Sequence, residues 1–475
     1  MWENAAEFGA MLIFAEHRFY GESKPFPEGT DKCLDWLTTE QAMADFAQLI
    51  DHFRTTDDRF TKSAVVGFGG SYGGMIGAWF RVKYPNAADG VIAASAPIWS
   101  FTGLDPPYNY QAFSEGVTHD LSARAGAGAS DNCKKNLHAA YPLMQSTGRT
   151  KEGRAMLSSA FKTCYAIETE EEVAALISWA QGPFANMAMG NYPYPSTYLM
   201  HGDSFLPAWP MRKACEALDA DGLTGKPEEL FEAVREALAV QLNNTGTATC
   251  FYNGDEREMR ATLKDGETMA DVYGERVRMA GKKMTDAHRM VRRWERREGR
   301  KRGLRGERQM AADGSCAGDW DMQWCTEMSQ PFSYGCPDPD PIFPEDGAPA
   351  DFHWPCEPFN KTVRTESCLE NWGFQPRYDW ARFGLGGKRI SGASNIVFSN
   401  GLYDPWHGGG ILKNLSDTLI AVVLPHGAHH LDLMFSNPAD PPDAVDARKT
   451  EVQEMKRWVK DANQRNGNTL YQIAL

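Results

Sequence analysis

The stretch GFGGSYGGMIGAWF, residues 67–80, sets six glycines around one serine and constrains the fold more than any other segment. Before it runs KSAVVGFGG (62–70), a short apolar segment of buried-strand character; after it GGMIGAWFRVKYP carries helical periodicity as far as Pro85. Gly69-x-Ser71-x-Gly73 between a strand and a helix is the pattern of a nucleophile elbow. Such a turn holds its serine in a strained backbone conformation, so the neighbours must be small, and Gly70 and Gly74 widen that allowance. The turn would project Ser71 Oγ from the sheet edge at a helix N-terminus, with the Tyr72 N–H as first donor to a developing oxyanion.

The flanking segments predict a parallel α/β sheet. GAMLIFAEH (9–17) reads as a buried strand, and TTEQAMADFAQLIDHFR as a helix that opens on a capping-box pattern, Thr38 with Gln41. ADGVIAASAP reads as the strand after the elbow helix. Residues 1–100 thus form the first part of the sheet domain, and residues 101–330 read as an inserted helical domain, as in EEVAALISWAQ and EELFEAVREALAVQL. Within the insert, 254–310 is a run dense in Arg, Lys and Glu, read as a solvated or disordered insertion because it lacks the interleaved aromatics that stack nucleic-acid bases. Residues 331–475 begin as an irregular loop rich in Pro, Asp and Cys and then return to alternation: strand SNIVFSNG, a helix start at GGGILKN, strand DTLIAVVLP and a long final helix.

Composition excludes several classes. A net charge of −14 argues against a general nucleic-acid binder, and the longest apolar runs are strand-sized, too short to span a membrane. Ten cysteines are dispersed without a CxxC pair, eight of them between residues 133 and 356, which suggests disulfides rather than a metal site. Sequons at Asn243, Asn360 and Asn414 point the same way, to a glycoprotein of the secretory pathway. The opening, MWENAAEFGAMLIFAEH, has no signal-peptide character, so an upstream segment is expected.

A serine nucleophile needs a base and a group that orients it, and on this architecture they follow later strands in the order Ser, Asp, His. Asp404 follows NIVFSNG, and both His429 and His430 follow LIAVVLPHGA. His426, His407 and, as acid, Asp432 are rivals, although Asp432 lies on the wrong side of the histidines. This chemistry asks for no metal or organic cofactor.

Several blocks together, GGSYGGMIGAWFRVKYP, AASAPIW, AEHRFYGES, CTE, NIVFSNGLYDPWHGGG and GAHHLDL, resemble the proline-specific serine exopeptidases, the family of Pro-Xaa carboxypeptidase, dipeptidyl peptidase II and thymus-specific serine protease. The resemblance implies an α/β-hydrolase fold with a helical lid, a triad of Ser71, Asp404 and His429, peptide substrates cut next to proline near a terminus, and a lysosomal, vacuolar or secreted location. It implies disulfides Cys133–Cys215, Cys164–Cys250 and Cys325–Cys368 and leaves Cys33, Cys316, Cys336 and Cys356 without family partners; Cys336 with Cys356 is a plausible local bridge. It places GNYPYPSTYL and LPAWP near a proline pocket, with Tyr194 and Trp209 as candidate walls, and makes Asp338 and Asp340 candidates for binding a substrate amine. Arg18, in the loop after AMLIFAE, reads as structural.

On the standard hydrolase sheet AMLIFAE would be the fourth strand and the strand before Ser71 the fifth, so the third strand and its loop are expected before residue 1. That loop normally carries the second oxyanion donor, whose loss costs about 3 kcal/mol. An esterase or lipase, or a silent hydrolase-fold binding protein, stands as the alternative reading, and carboxypeptidase against dipeptidyl peptidase action, like monomer against homodimer, is left open.

Overall fold

The computed structural model describes residues 2–27, 30, 33–122, 129–200, 204–252, 316, 318–337, 341–343 and 352–467. The charged run 254–310, and Asp338 and Asp340, lie outside the described residues.

Four parallel strands form one sheet in the order β1 (Val66–Gly70), β2 (Gly90–Ala94), β3 (Ile396–Gly401) and β4 (Leu419–Leu424). All pairings are parallel, and the register places Gly69 beside Ala93 and Ala94 beside Ser399. Both ends of the chain therefore build one sheet, joined at β2 and β3. These two central strands are buried throughout, which explains their unbroken apolar character.

Helix α1 (Thr39–Thr56) starts at Thr38, whose hydroxyl accepts the Gln41 N–H at 3.2 Å. Helix α2 (Tyr72–Lys83) follows the elbow directly and buries Met75, Ile76, Trp79 and Phe80 against the sheet. Among the described residues six α-helices come next: α3 (Ala112–Asp120), α4 (Asp131–Thr147), α5 (Lys151–Ala160), α6 (Glu170–Met189), α7 (Pro210–Leu218) and α8 (Pro227–Leu242). They share a core of their own in which Tyr141, Phe161, Phe184 and Phe231 are fully buried. Helices α9 (Trp320–Thr326) and α10 (Lys361–Trp372) precede β3, and α11 (Pro442–Arg465) closes the far face of the sheet. Trp458 of α11 lies on Gly90, where an added methyl would overlap the indole.

All ten cysteines pair. The three family-implied bridges form, Cys336 joins Cys356, and Cys33, unassigned from sequence, joins Cys316 across 283 residues.

Two local expectations fail. The segment 9–17 is not a strand: residues 10–16 form no ladder, and Met11, Ile13 and Phe14 stand exposed. Apolar content gives a strand only where a neighbouring edge satisfies its N–H and C=O groups, and here the segment has not joined the outer edge of β1. GGGILKN does not open a helix either. A short 3-10 turn, Pro405–Gly409, ends there, because Gly409 and Gly410 pack too closely on Ser100 and Asn400 to carry side chains and glycine favours helix poorly.

Candidate active site

Ser71 sits at φ 58°, ψ −126°, a conformation that costs a residue with a Cβ roughly 1–3 kcal/mol and persists only where the surroundings enforce it. They do so here by close packing. A methyl at Gly69 would overlap the Gly73 carbonyl, one at Gly74 the carbonyls of Ala94 and Gly69, and one at Gly70 the His430 ring. Gly73 has open space around its α-carbon, so the second glycine of the motif is not demanded by protein packing. The Ser71 N–H donates to the Ala94 carbonyl at 3.0 Å, which ties the elbow to the end of β2.

Asp404 and His429 follow β3 and β4 and meet in the interior. His429 Nδ1 lies 2.7 Å from Asp404 Oδ2, with 1% and 0% of the side chains exposed. The loops are joined close to their strands: Leu402 N–H donates to the Leu424 carbonyl and Tyr403 N–H to the Gly427 carbonyl, and a methyl at Gly401 would overlap Gly427. Burial opposes ionisation of Asp404, but the His429 charge and hydrogen bond, the Trp406 N–H and the Ser95 hydroxyl hold its carboxyl below the usual range. His429 Nε2 is buried and makes no hydrogen bond, so the atom opposite the acid is uncommitted.

The rivals are engaged elsewhere. His407 Nδ1 donates to the Asp404 carbonyl at 2.6 Å. His426 is exposed beside Asp443. Asp432 accepts from Ser399 Oγ at 2.7 Å. The His430 ring lies over Gly70, and burial, then the charge of His429, pushes its pKa down to about 3.

Tyr72 is more than an N–H donor. Its hydroxyl lies 3.2 Å from His17 Nε2 and 3.0 Å from Thr39 Oγ1, and it accepts from Gln323 Nε2 at 2.5 Å. Thr39 in turn donates through N–H and hydroxyl to Glu327, at 2.8 and 2.7 Å. Arg377 bonds Glu327 at 2.5 Å and Glu40 at 3.0 and 3.1 Å, so two carboxyl groups share one guanidinium. Burial, then the Glu40 charge, pushes the Glu327 carboxyl up to about 7. Sequence reasoning misses this cluster because its members come from residues 17, 39, 323 and 327; His17 in AEHRFYGES and Glu327 in CTE fall in family-like blocks, but nothing in either block points to the other or to Thr39 and Gln323.

Tyr194 and Trp209 pack with Tyr192 and Tyr403 against the strand-end loops, in a cluster that includes Leu424, Ala428 and Leu431. The Trp209 ring meets Tyr403 edge-on at 6.0 Å, and the Tyr192 hydroxyl donates to the His429 carbonyl at 2.7 Å. Arg18 pairs with Asp45 at 2.6 Å, a structural role.

This serine, acid and histidine arrangement coincides with a family match along nearly the whole chain: the family model of serine carboxypeptidase S28 matches residues 1–283 and 300–451. The chain belongs to the S28 serine peptidase family. Human lysosomal Pro-X carboxypeptidase is 34% identical over 464 residues, covering 97% of this chain and 77% of the relative. A prolyl carboxypeptidase-like protein of Caenorhabditis elegans is 31% identical over 477 residues, covering 97% and 79%. Mouse thymus-specific serine protease is 24% identical over 463 residues, covering 96% and 76%.

In this S28 chain one further group of residues joins the elbow to the acid. Trp320 meets the Tyr72 ring edge-on at 5.1 Å, Trp324 lies 6.2 Å from Trp320, and Trp406, two residues after Asp404, lies 6.4 Å from Trp324. Phe332 stacks on Trp324 and, with Phe113, flanks Trp406. No sequence pattern marks these rings as a group, although Trp406 lies inside the block that carries Asp404.

Proposed function

We propose that the chain is a Pro-Xaa carboxypeptidase that works through an acyl-enzyme on Ser71. The observations that carry this reading are the buried Asp404–His429 pair, with Nε2 uncommitted, and Ser71 held at positive φ directly after β1, in a chain of the S28 family. Ser71 Oγ attacks the carbonyl of the penultimate proline, and His429 Nε2 takes its proton. Asp404 holds the Nδ1–H tautomer and offsets the imidazolium charge, while the Tyr72 N–H donates to the oxyanion. The C–N bond breaks, the departing amine takes the proton from His429, and water, activated by the same histidine, releases the peptide now ending in proline.

The fold that supports this is an α/β-hydrolase, with residues 1–100 and 331–475 as the sheet domain and 101–330 as an inserted lid. The separate core of α3–α8 and the bond from the His429 N–H to the Met189 carbonyl at 3.2 Å support that assignment. The ring series Trp320, Trp324, Trp406 and Phe332 suits the rigid, apolar face of proline, because flat rings bury area at little entropic cost. Tyr194 and Trp209 then act by supporting the loops that carry Asp404 and His429.

Mass spectrometry of one unblocked peptide with proline second from each end tests the reading. At acidic pH the wild type is expected to release the C-terminal residue and Ser71→Ala to leave the peptide whole. Release of an N-terminal dipeptide would make the enzyme a dipeptidyl peptidase, and ester hydrolysis with the peptide untouched would overturn the peptidase reading.

A further inference from the structure

The Tyr72 hydroxyl stands in a row of four side chains drawn from four segments. Glu327 Oε2 is 2.7 Å from Thr39 Oγ1, Thr39 Oγ1 is 3.0 Å from the Tyr72 hydroxyl, and that hydroxyl is 3.2 Å from His17 Nε2. Each of these contacts needs a proton of its own. His17 Nδ1 lies 2.9 Å from the Arg18 carbonyl, which can only accept, so the neutral ring keeps its proton there and Nε2 is bare. With Glu327 ionised, the two hydroxyls supply one proton each, and one contact is left without any. A single added proton, on Glu327 Oε2 or on His17 Nε2, completes the row. Gln323 Nε2 donates to Tyr72 in either case, while its Oε1 accepts from the Tyr20 hydroxyl at 2.9 Å.

The surrounding charges decide where the added proton rests. Glu327 faces Glu40 and Arg377, and Arg377 donates to Oε1, so a proton on Oε2 meets Thr39. His17 faces Arg18 and Asp45, themselves paired at 2.6 Å, and Asp319 and Asp321 at the start of α9 face Tyr20. Burial pushes the His17 imidazole down and the Glu327 carboxyl up to about 7, so the proton rests on Glu327 and the hydroxyls point from there toward His17.

We propose that Glu327 and His17 are positioning residues for acyl transfer: through the Thr39 and Tyr72 hydroxyls they share one proton, which completes the bonds of Tyr72 and so holds the residue that follows the nucleophile. The assignment rests on the nucleophile reading above. Passage of the proton along the row balances, since each hydroxyl gives up one proton as it takes the next. When the proton leaves at higher pH, one contact sets lone pair against lone pair, and the hold on Tyr72 weakens.

The test follows the rate of fluorophosphonate labelling, and Tm, against pH in wild type, Thr39→Val, Thr39→Ser and Tyr72→Phe, with Ser71→Ala as labelling control and folding checked by circular dichroism. Wild type is expected to label roughly 3- to 10-fold more slowly well above pH ~7 than at its optimum, as fits one lost hydrogen bond. Thr39→Ser should keep that basic limb, and Thr39→Val and Tyr72→Phe should lose it, whereas a purely structural contact would change the rate at every pH alike. A wild type without the limb, or a limb kept in either folded Thr39→Val or Tyr72→Phe, would overturn the proposal; the second result would place the proton between Glu327 and Glu40. A wild type that labels no better than Ser71→Ala would instead remove the nucleophile reading. The shared proton is then still decided by Tm, whose slope against pH Tyr72→Phe should change, an unchanged slope overturning it.

Discussion

Asp404→Asn is expected to lower kcat on a Pro-Xaa peptide by about 10⁴-fold with the fold intact. In the proposed mechanism the buried carboxylate, which only accepts, holds the proton of His429 on Nδ1 and leaves Nε2 to take the serine proton. An amide of the same shape can donate, which favours the tautomer with Nε2 protonated and blocks proton transfer. It also places no negative charge beside the imidazolium, in an interior that screens poorly. Steady-state kinetics with circular dichroism check the expectation. A loss of only a few-fold would mean that another group orients His429.

Glu327 should contribute stability that is lost as pH rises from about 4.5 to 7, against the opposite trend set by the buried neutral His430. The folded-state pKa of Glu327, about 7, lies above the ordinary value of 4.5, so the native state binds the proton more tightly than the unfolded chain. The resulting stabilisation is complete below the unfolded value and is lost as pH rises through the folded one. The free-energy equivalent of that difference in proton affinity is on the order of 3 kcal/mol, and since the Glu327 side chain is fully buried, solvent screening takes little away. The structural reason is first the burial of the Glu327 carboxyl and second the Glu40 charge, which the bonds from Thr39 and the shared Arg377 guanidinium offset only in part. Glu327→Gln should shift the slope of Tm against pH in the positive direction across this interval, and an unchanged slope in the variant would place the titrating group elsewhere. The cluster reaches the Tyr72 hydroxyl through Thr39, so protonation of Glu327 also bears on the surroundings of Tyr72, the proposed oxyanion donor.

The parts of this molecule legible in its sequence are those set by local pattern. The strands 66–70, 90–94, 396–401 and 419–424 announce themselves as apolar runs bounded by Gly, Asn or Pro, and Asp404 meets His429 because each follows the end of a neighbouring strand. Patterns that depend on a distant partner are not legible. The segment 10–16 has strand composition but no ladder, and Cys33 gives no local hint of Cys316. The Tyr72 hydroxyl meets partners from three separate segments, which no single motif encodes.

The measurement that bears most directly on the central claim is tandem mass spectrometry of the wild-type chain after reaction with a fluorophosphonate at acidic pH. The account expects a single adduct on Ser71, in the peptide that contains GFGGSYGGM. An adduct on another serine, or none on a chain that circular dichroism finds folded, would contradict it.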